Sequence, residues 1–377
     1  MMEEDLLKST IPVVQSLYKK GEFNKAHEIS LEISNKYPNN SYVQNLHGVI
    51  CIALNNWETA KNYFIKALKI KNNSSEAYNN LGLSYLNLGN LENALKNFLS
   101  AIEIKSDYKN PHNNILKILT YFNSQKNKNN QYVIANNLIK NIKFDYNEKK
   151  LIKNSEIINF YKQAFDIVHK NLTNIETTET QIYRHNSIDL NCSRHFRIFN
   201  EFNIIPKFCF DCFKVTVEVK TVLDLMKLYF IFDKLYPDQK YSRKLMIESR
   251  QDVSGNYKGF IYCSNVEDGE NVQIELKKIL INNLGNDCSI SLKRGCSEFS
   301  LKYPSYKKAS KNKNDMMSYD KIWEQKEEII DNKIYNNNSK KDNIYTSLNG
   351  YFLRDILVMR NWLIYAKEIG DNSYIEA

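Results

Sequence analysis

Apolar positions in the first third of the chain recur with two superimposed periods. Within SYVQNLHGVICIALNNWETAKNYFIKALKIKN, from Ser41, they fall at helical spacing. The whole block then returns from Ser75 as SEAYNNLGLSYLNLGNLENALKNFLSAIEIKS, with Gly48 and Gly82, Ala60 and Ala94, Phe64 and Phe98, and Ala67 and Ala101 at a spacing of 34. One step earlier the register meets Ala26 and Pro38, and one step later SDYKNPHNNILKIL, where it fades. A polar connector, FNSQKNKNNQ, follows Tyr121. Two helical stretches come next, at 131–141 and 147–172, the second with Ile157, Tyr161, Phe165 and Val168 on one side. They are expected to extend or cap the repeat stack.

The pattern then changes. FKVTVEVK alternates as a strand with Val215, Val217 and Val219 on one face, and TVLDLMKLYFIFDKL is an amphipathic helix. RKLMIES and YKGFIYCS are strands joined by RQDVSGN, a hairpin signal with Gly255. VEDGENVQIELKKILINNL reads as a helix and DCSISLKR as a fourth strand. The order β-α-β-β-α-β is that of a ferredoxin-like sandwich, and right-handed crossovers place its strands 4-1-3-2. After it, YKKASKNKNDMM reads as a solvated basic linker. Two helices close the chain; in the last, Phe352, Ile356, Met359 and Leu363 form an apolar stripe, with Trp362 adjacent, read as core. The expected class is α+β: a helical solenoid over 1–122, a helical extension over 123–180, the α/β sandwich over 181–304, and linker with helices over 305–377.

The repeating block resembles the tetratricopeptide repeat family. Tyr78, Leu81, Gly82, Tyr85, Ala94, Phe98 and Ala101 occupy its signature positions across roughly residues 5 to 122. Gln44 and Tyr78 stand where Trp is common, and Asn72 and Ser106 replace the closing Pro. Small Gly and Ala residues let paired helices approach while aromatic and Leu side chains fill the space between hairpins. The resemblance implies a concave groove that holds a peptide segment of another protein. Asn45, Asn79 and Asn113 recur at one repeat position with Asn80 and Asn114 beside the last two, and Lys117 follows. Some relatives, including transferases that attach N-acetylglucosamine, grip a peptide backbone with such an asparagine ladder. An amide both donates and accepts, so it pairs with any peptide bond; the other reading is that an Asn-rich chain places some in register by chance. The C-terminal half looks like a module that accompanies repeat proteins in some bacteria, a likeness that carries no activity.

Cysteine placement adds the candidate chemistry. The topology brings Cys209 and Cys212 of KFCFDCFKV, Cys263 and Cys296 to one end of the sheet, with Cys192 and His195 of NCSRHF as reserve ligands. Converging thiolates with one close pair suit zinc or an iron-sulfur cluster. Buried structural thiols and a redox or sensor pair are the competing readings. Cys51 and Cys288 read as core thiols. A further alternative is RNA: Lys258, Phe260 and Tyr262 resemble part of the aromatic strand of RNA-recognition domains, close to Lys214, Arg250 and Lys293, although Thr216 stands where a second aromatic is wanted.

Composition bounds these readings. With 377 residues, 42% hydrophobic, the chain can bury two or three cores. The 52 basic and 43 acidic side chains leave +9, a balance that permits a nucleic-acid partner without favouring one. MMEEDLLKST lacks the features of a secretory signal, no long apolar run suggests a membrane span, and the odd count of seven Cys speaks for reduced thiols; a cytoplasmic location is expected. No Ser-His-Asp set, glycine-rich phosphate loop or carboxylate pair appears, so binding rather than catalysis is the reading.

Overall fold

A computed structural model describes residues 2–173, 175–186, 188–236, 240–250, 253–335 and 345–376. They form two compact units, one built on residues up to Asn129 and the other on Asn130–Ile330 with the C-terminal helix.

In the first unit, α1 (Met2–Lys19), α2 (Phe23–Lys36), α3 (Ser41–Ala53), α4 (Trp57–Ile70), α5 (Ser75–Asn87), α6 (Leu91–Ile104) and α7 (Lys109–Ile118) each pack on the next. The repeat period is visible in the caps. Asn40, Asn56, Ser74 and Asn90 each accept a hydrogen bond from a backbone N–H in the first turn of the helix that follows. It is also visible in the close approach of paired helices. A Cβ on Gly82 would come within 2.5 Å of the Phe98 ring, and one on Gly48 within 2.6 Å of Phe64.

The second unit opens with α8 (Gln131–Lys140) and α9 (Asn154–Asn171). The sheet follows: β1 (Gln181–Arg184), α10 (Cys192–Phe202), β2 (Phe213–Val219), α11 (Val222–Leu235), β3 (Arg243–Ile247), β4 (Tyr257–Cys263), α12 (Val266–Leu284) and β5 (Ser289–Arg294). The short α13 (Ser297–Lys302), then α14 (Glu324–Tyr335) and α15 (Leu353–Ile369), complete the chain. Strands stand in the order β1-β3-β4-β2-β5, every neighbour antiparallel. The 4-1-3-2 order expected for the last four strands is present, and β1 adds a fifth beside β3.

Val215, Val217 and Val219 are buried on the face that carries α11 and α12. Gly259 on β4 is required there, because a Cβ would come within 2.6 Å of Leu228 and 2.9 Å of Phe232 on α11. The helices expected to extend the solenoid belong instead to this unit. The apolar side of α9 packs on α11 and α15, with the Phe160 ring 4.8 Å from Phe230. The segment read as a solvated linker is exposed at Lys307, Lys308 and 311–315 as expected, but its two ends pack inward. Tyr306 is fully buried, and Met317, Tyr319 and Trp323 pack with it around Phe210 and Phe299, because the end of β5 needs an apolar cover. Among the described residues no helix is long and apolar enough to cross a membrane.

Candidate thiol site

The C-x-x-C pair sits on a 3-10 turn, Lys207–Asp211, that runs into β2. The Cys212 amide donates to the Cys209 carbonyl (3.3 Å), so both thiols leave one tight turn. Three bonds tie the turn to the end of β5 and the segment that follows it. The Gly295 amide donates to the Cys212 carbonyl (2.7 Å), Arg294 Nε to the Phe210 carbonyl (2.7 Å), and the Tyr306 hydroxyl to the Cys209 carbonyl (2.6 Å). Gly295 has φ +60°, a left-handed conformation that turns the chain after β5 and directs Cys296 inward.

Cys192 and His195 at the start of α10, Cys209 and Cys212 on the turn, and Cys296 after β5 line one cavity, walled by Phe196, Phe208, Tyr262 and Phe299. Its free space is about 10 Å³, room for a single water-sized sphere. Cys192 is exposed and marks the rim, while Cys209 and His195 are buried. Among the described residues these five do not form a group of ligand atoms already close enough together to share an ion.

Burial and the neighbouring thiols keep these groups protonated when no cation is present. Although Cys192 as a whole residue sits at the exposed rim, the protein atoms crowding its thiol push it up to about 11, with Cys296 adding to it, and burial pushes Cys212 up to about 12, with Cys296 and Cys192 adding. Cys209 and Cys296 are raised as well, burial again first. Two lysines oppose the trend. Lys214 lowers Cys212 and Cys296, and Lys244 lowers Cys192 and Cys296. Lys214 is 6% exposed, and burial together with Lys214 lowers the pKa of Lys244. Both ammonium groups lie over the Phe260 ring, at 4.9 and 5.4 Å, and neither has a carboxylate within ion-pair distance among the described residues.

Cys263 does not reach the cavity. Side chains alternate along β4, so with Tyr262 lining the cavity, Cys263 projects to the opposite face, where its thiol meets the Ile261 carbonyl at 3.7 Å. Cys192, held in reserve by the sequence reading, takes its place. Lys258, Phe260 and Tyr262 do share the other sheet face, but Phe260 is 6% and Lys258 3% exposed, and Lys258 lies 3.5 Å from Glu248. No stacking surface for bases is open there. The Lys214 and Lys244 ammonium groups beside the thiols were missed; same-face pairing of Lys214 with Tyr262, and of Lys244 with Phe260, was the signal.

In the repeats, Asn80 Nδ2 donates to Asn45 Oδ1 (3.2 Å) and Asn114 Nδ2 to Asn79 Oδ1 (3.1 Å), a bond repeated from one first helix to the next. Asn45, Asn80, Asn113 and Asn114 are half-buried, Asn79 is buried and Lys117 is exposed.

Residues 42–74 and 75–108 each match the tetratricopeptide repeat, and this part of the chain is such a repeat array. Similar solved structures include the second such domain of human RPAP3 in complex with an HSP70 peptide (18% identity, 29% of this chain and 92% of that one, TM-score 0.28). Others are the Arabidopsis OM64 domain (18%, 30% and 94%, 0.30) and a mutant Thermobaculum terrenum O-GlcNAc transferase (14%, 40% and 31%, 0.32). No curated protein matches the chain significantly.

Proposed function

We propose that this chain is a protein-interaction scaffold whose repeats hold an extended peptide and whose second module carries one thiol-ligated zinc ion. The peptide surface is assigned to Asn45, Asn79, Asn80, Asn113, Asn114 and Lys117. Amides that bond to each other across helices can exchange those bonds for a peptide backbone without loss of count.

The observation that carries the zinc is the meeting of four thiols and a histidine beside the buried Lys214 and the half-buried Lys244, neither of which has a carboxylate within ion-pair distance among the described residues. Burying a charge without a partner costs several kcal/mol (about that per ion). Four thiolates on a divalent ion leave a net charge of about −2, which Lys214 and Lys244 offset. Cys192, Cys209, Cys212 and Cys296 would hold the ion, with His195 able to replace one of them. Zinc there is structural: it joins α10, the turn before β2 and the end of β5, and contributes folding energy.

An iron-sulfur cluster is the second reading that the same four thiols would support. A redox pair is disfavoured because reactive thiols need lowered pKa values and these are raised. The strand order with α11 and α12 on one face supports a ferredoxin-like sandwich widened by β1. The free cysteines support a cytoplasmic location.

Elemental analysis of the full chain, purified without oxygen, tests the reading through two variants. Cys212→Ser is expected to lose one zinc per chain and Cys263→Ser to keep it. Equal zinc in both variants would overturn the assignment.

A further inference from the structure

The repeat unit contains a second group of ligand-type side chains. His47 and Cys51 lie one turn apart on α3, so both face the same side, toward α2 and its His27. One ligand atom from each of His27, His47 and Cys51 lies within 4.8 Å of the other two. His47 and Cys51 are 1% and 0% exposed, and His27 is half-buried. The next repeat holds Leu81 and Tyr85 at the positions of His47 and Cys51, so ligand types stand here where the array otherwise places core side chains.

Ser30 decides which imidazole nitrogen of His47 is free to ligate. With its hydroxyl donating to the His27 carbonyl (3.1 Å), its oxygen is free to accept from Nδ1–H of His47 at 2.8 Å, the tautomer this pairing favours. The lone pair is then on Nε2, the atom 3.5 Å from Cys51 Sγ. A partner on the second nitrogen is how proteins orient a ligating imidazole. A nitrogen at about 2.05 Å and a sulfur at about 2.3 Å from one tetrahedral ion are about 3.5 Å apart, the separation already present. The Tyr63 ring, edge-on at 4.4 Å, holds the His47 ring in place.

We propose that His27, His47 and Cys51 bind one zinc-class ion that staples α2 to α3, with its fourth position left to solvent on the His27 side. A thiol-to-imidazole hydrogen bond alone accounts for the 3.5 Å separation, but not for a second imidazole brought to the same pair. Imidazole with thiolate selects zinc or copper(I) over hard cations. This site does not depend on the thiol cavity of the second unit.

Cobalt(II) titration of the metal-free full chain, read by sulfur-to-cobalt charge-transfer absorption, tests it. Four proteins are compared: wild type, Cys51→Ala, His27→Ala, and Cys209→Ser/Cys212→Ser. One equivalent should vanish in Cys51→Ala, weaken at least tenfold in His27→Ala, and persist in the double variant. Amide hydrogen exchange in α2 and α3 should slow when zinc is added to the double variant and stay unchanged in His27→Ala, whose half-buried position tolerates truncation. Identical equivalents and identical exchange in wild type, Cys51→Ala and His27→Ala would overturn the proposal.

Discussion

Asp355 on α15 offers the sharpest stability test. Its carboxylate, 1% exposed, accepts from Arg184 Nη1 (3.2 Å) and Nη2 (2.7 Å), the Tyr229 hydroxyl (2.7 Å) and the Phe352 amide (3.1 Å). One side chain thus joins β1, α11 and the start of α15. Asp355→Ala leaves the Arg184 guanidinium, 3% exposed, with the neutral Gly350 carbonyl and Tyr229 hydroxyl and, as carboxylate, the more distant Asp233 at 3.5 Å. Breaking a buried pair from one side costs about 3–5 kcal/mol. Losing the bond to the Phe352 amide adds up to about 1 kcal/mol. For a unit of this size about 2–4 °C of melting temperature accompanies each kcal/mol, so a fall of roughly 6–24 °C is expected. Urea unfolding read by amide hydrogen exchange in β1, α11 and α15 reports this unit separately from the repeats. Arg184→Met/Asp355→Leu should be more stable than Asp355→Ala, because no charge is left stranded. A loss below about 1 kcal/mol, the value of an exposed pair, would refute the reasoning.

Gly295→Ala adds a methyl at φ +60° that would overlap the Tyr306 hydroxyl, so the cover over the thiols should open. Labelling of Cys209 and Cys296 by a thiol reagent should speed up at least tenfold, and an unchanged rate would count against the described packing. Gly82→Ala drives a Cβ against the buried Phe98 ring, and the overpacking, about 1–3 kcal/mol, should outweigh the helix-propensity gain of about 1 kcal/mol in a thermal melt. Burial would raise Asp371, but bonds from Ser373, the Tyr257 hydroxyl and the Val222 amide outweigh it and hold its pKa below the ordinary value. Its contribution is therefore complete above the unfolded pKa, about 3.9, and is lost as pH falls through the folded one, so Asp371→Asn should flatten the acid limb of the stability curve below about pH 4.

The repeats were legible because Gly48 and Gly82 each face a Phe on the partner helix, a contact that fixes both identity and spacing. Strand order followed from alternation and crossover handedness. The same alternation, applied to YKGFIYC, separates Tyr262 from Cys263 and would have removed Cys263 from the ligand set. The placement of Cys192 was not readable, because α10 is held over the turn by long-range contacts: Phe199 on Phe299, and Arg194 with Glu327 at 3.0 Å. β1, four residues long, has too few alternations to register, and the destination of α9 depends on the rings of α11. His27, His47 and Cys51 lie on two helices, and only the packing of α2 on α3 brings them together.

The most direct test of the thiol site is the zinc coordination shell of the Cys51→Ala chain, measured by X-ray absorption on protein purified without oxygen. The account predicts one zinc with three to four sulfur neighbours at about 2.3 Å. A chain with no zinc, or with zinc bound only through nitrogen and oxygen, would contradict it.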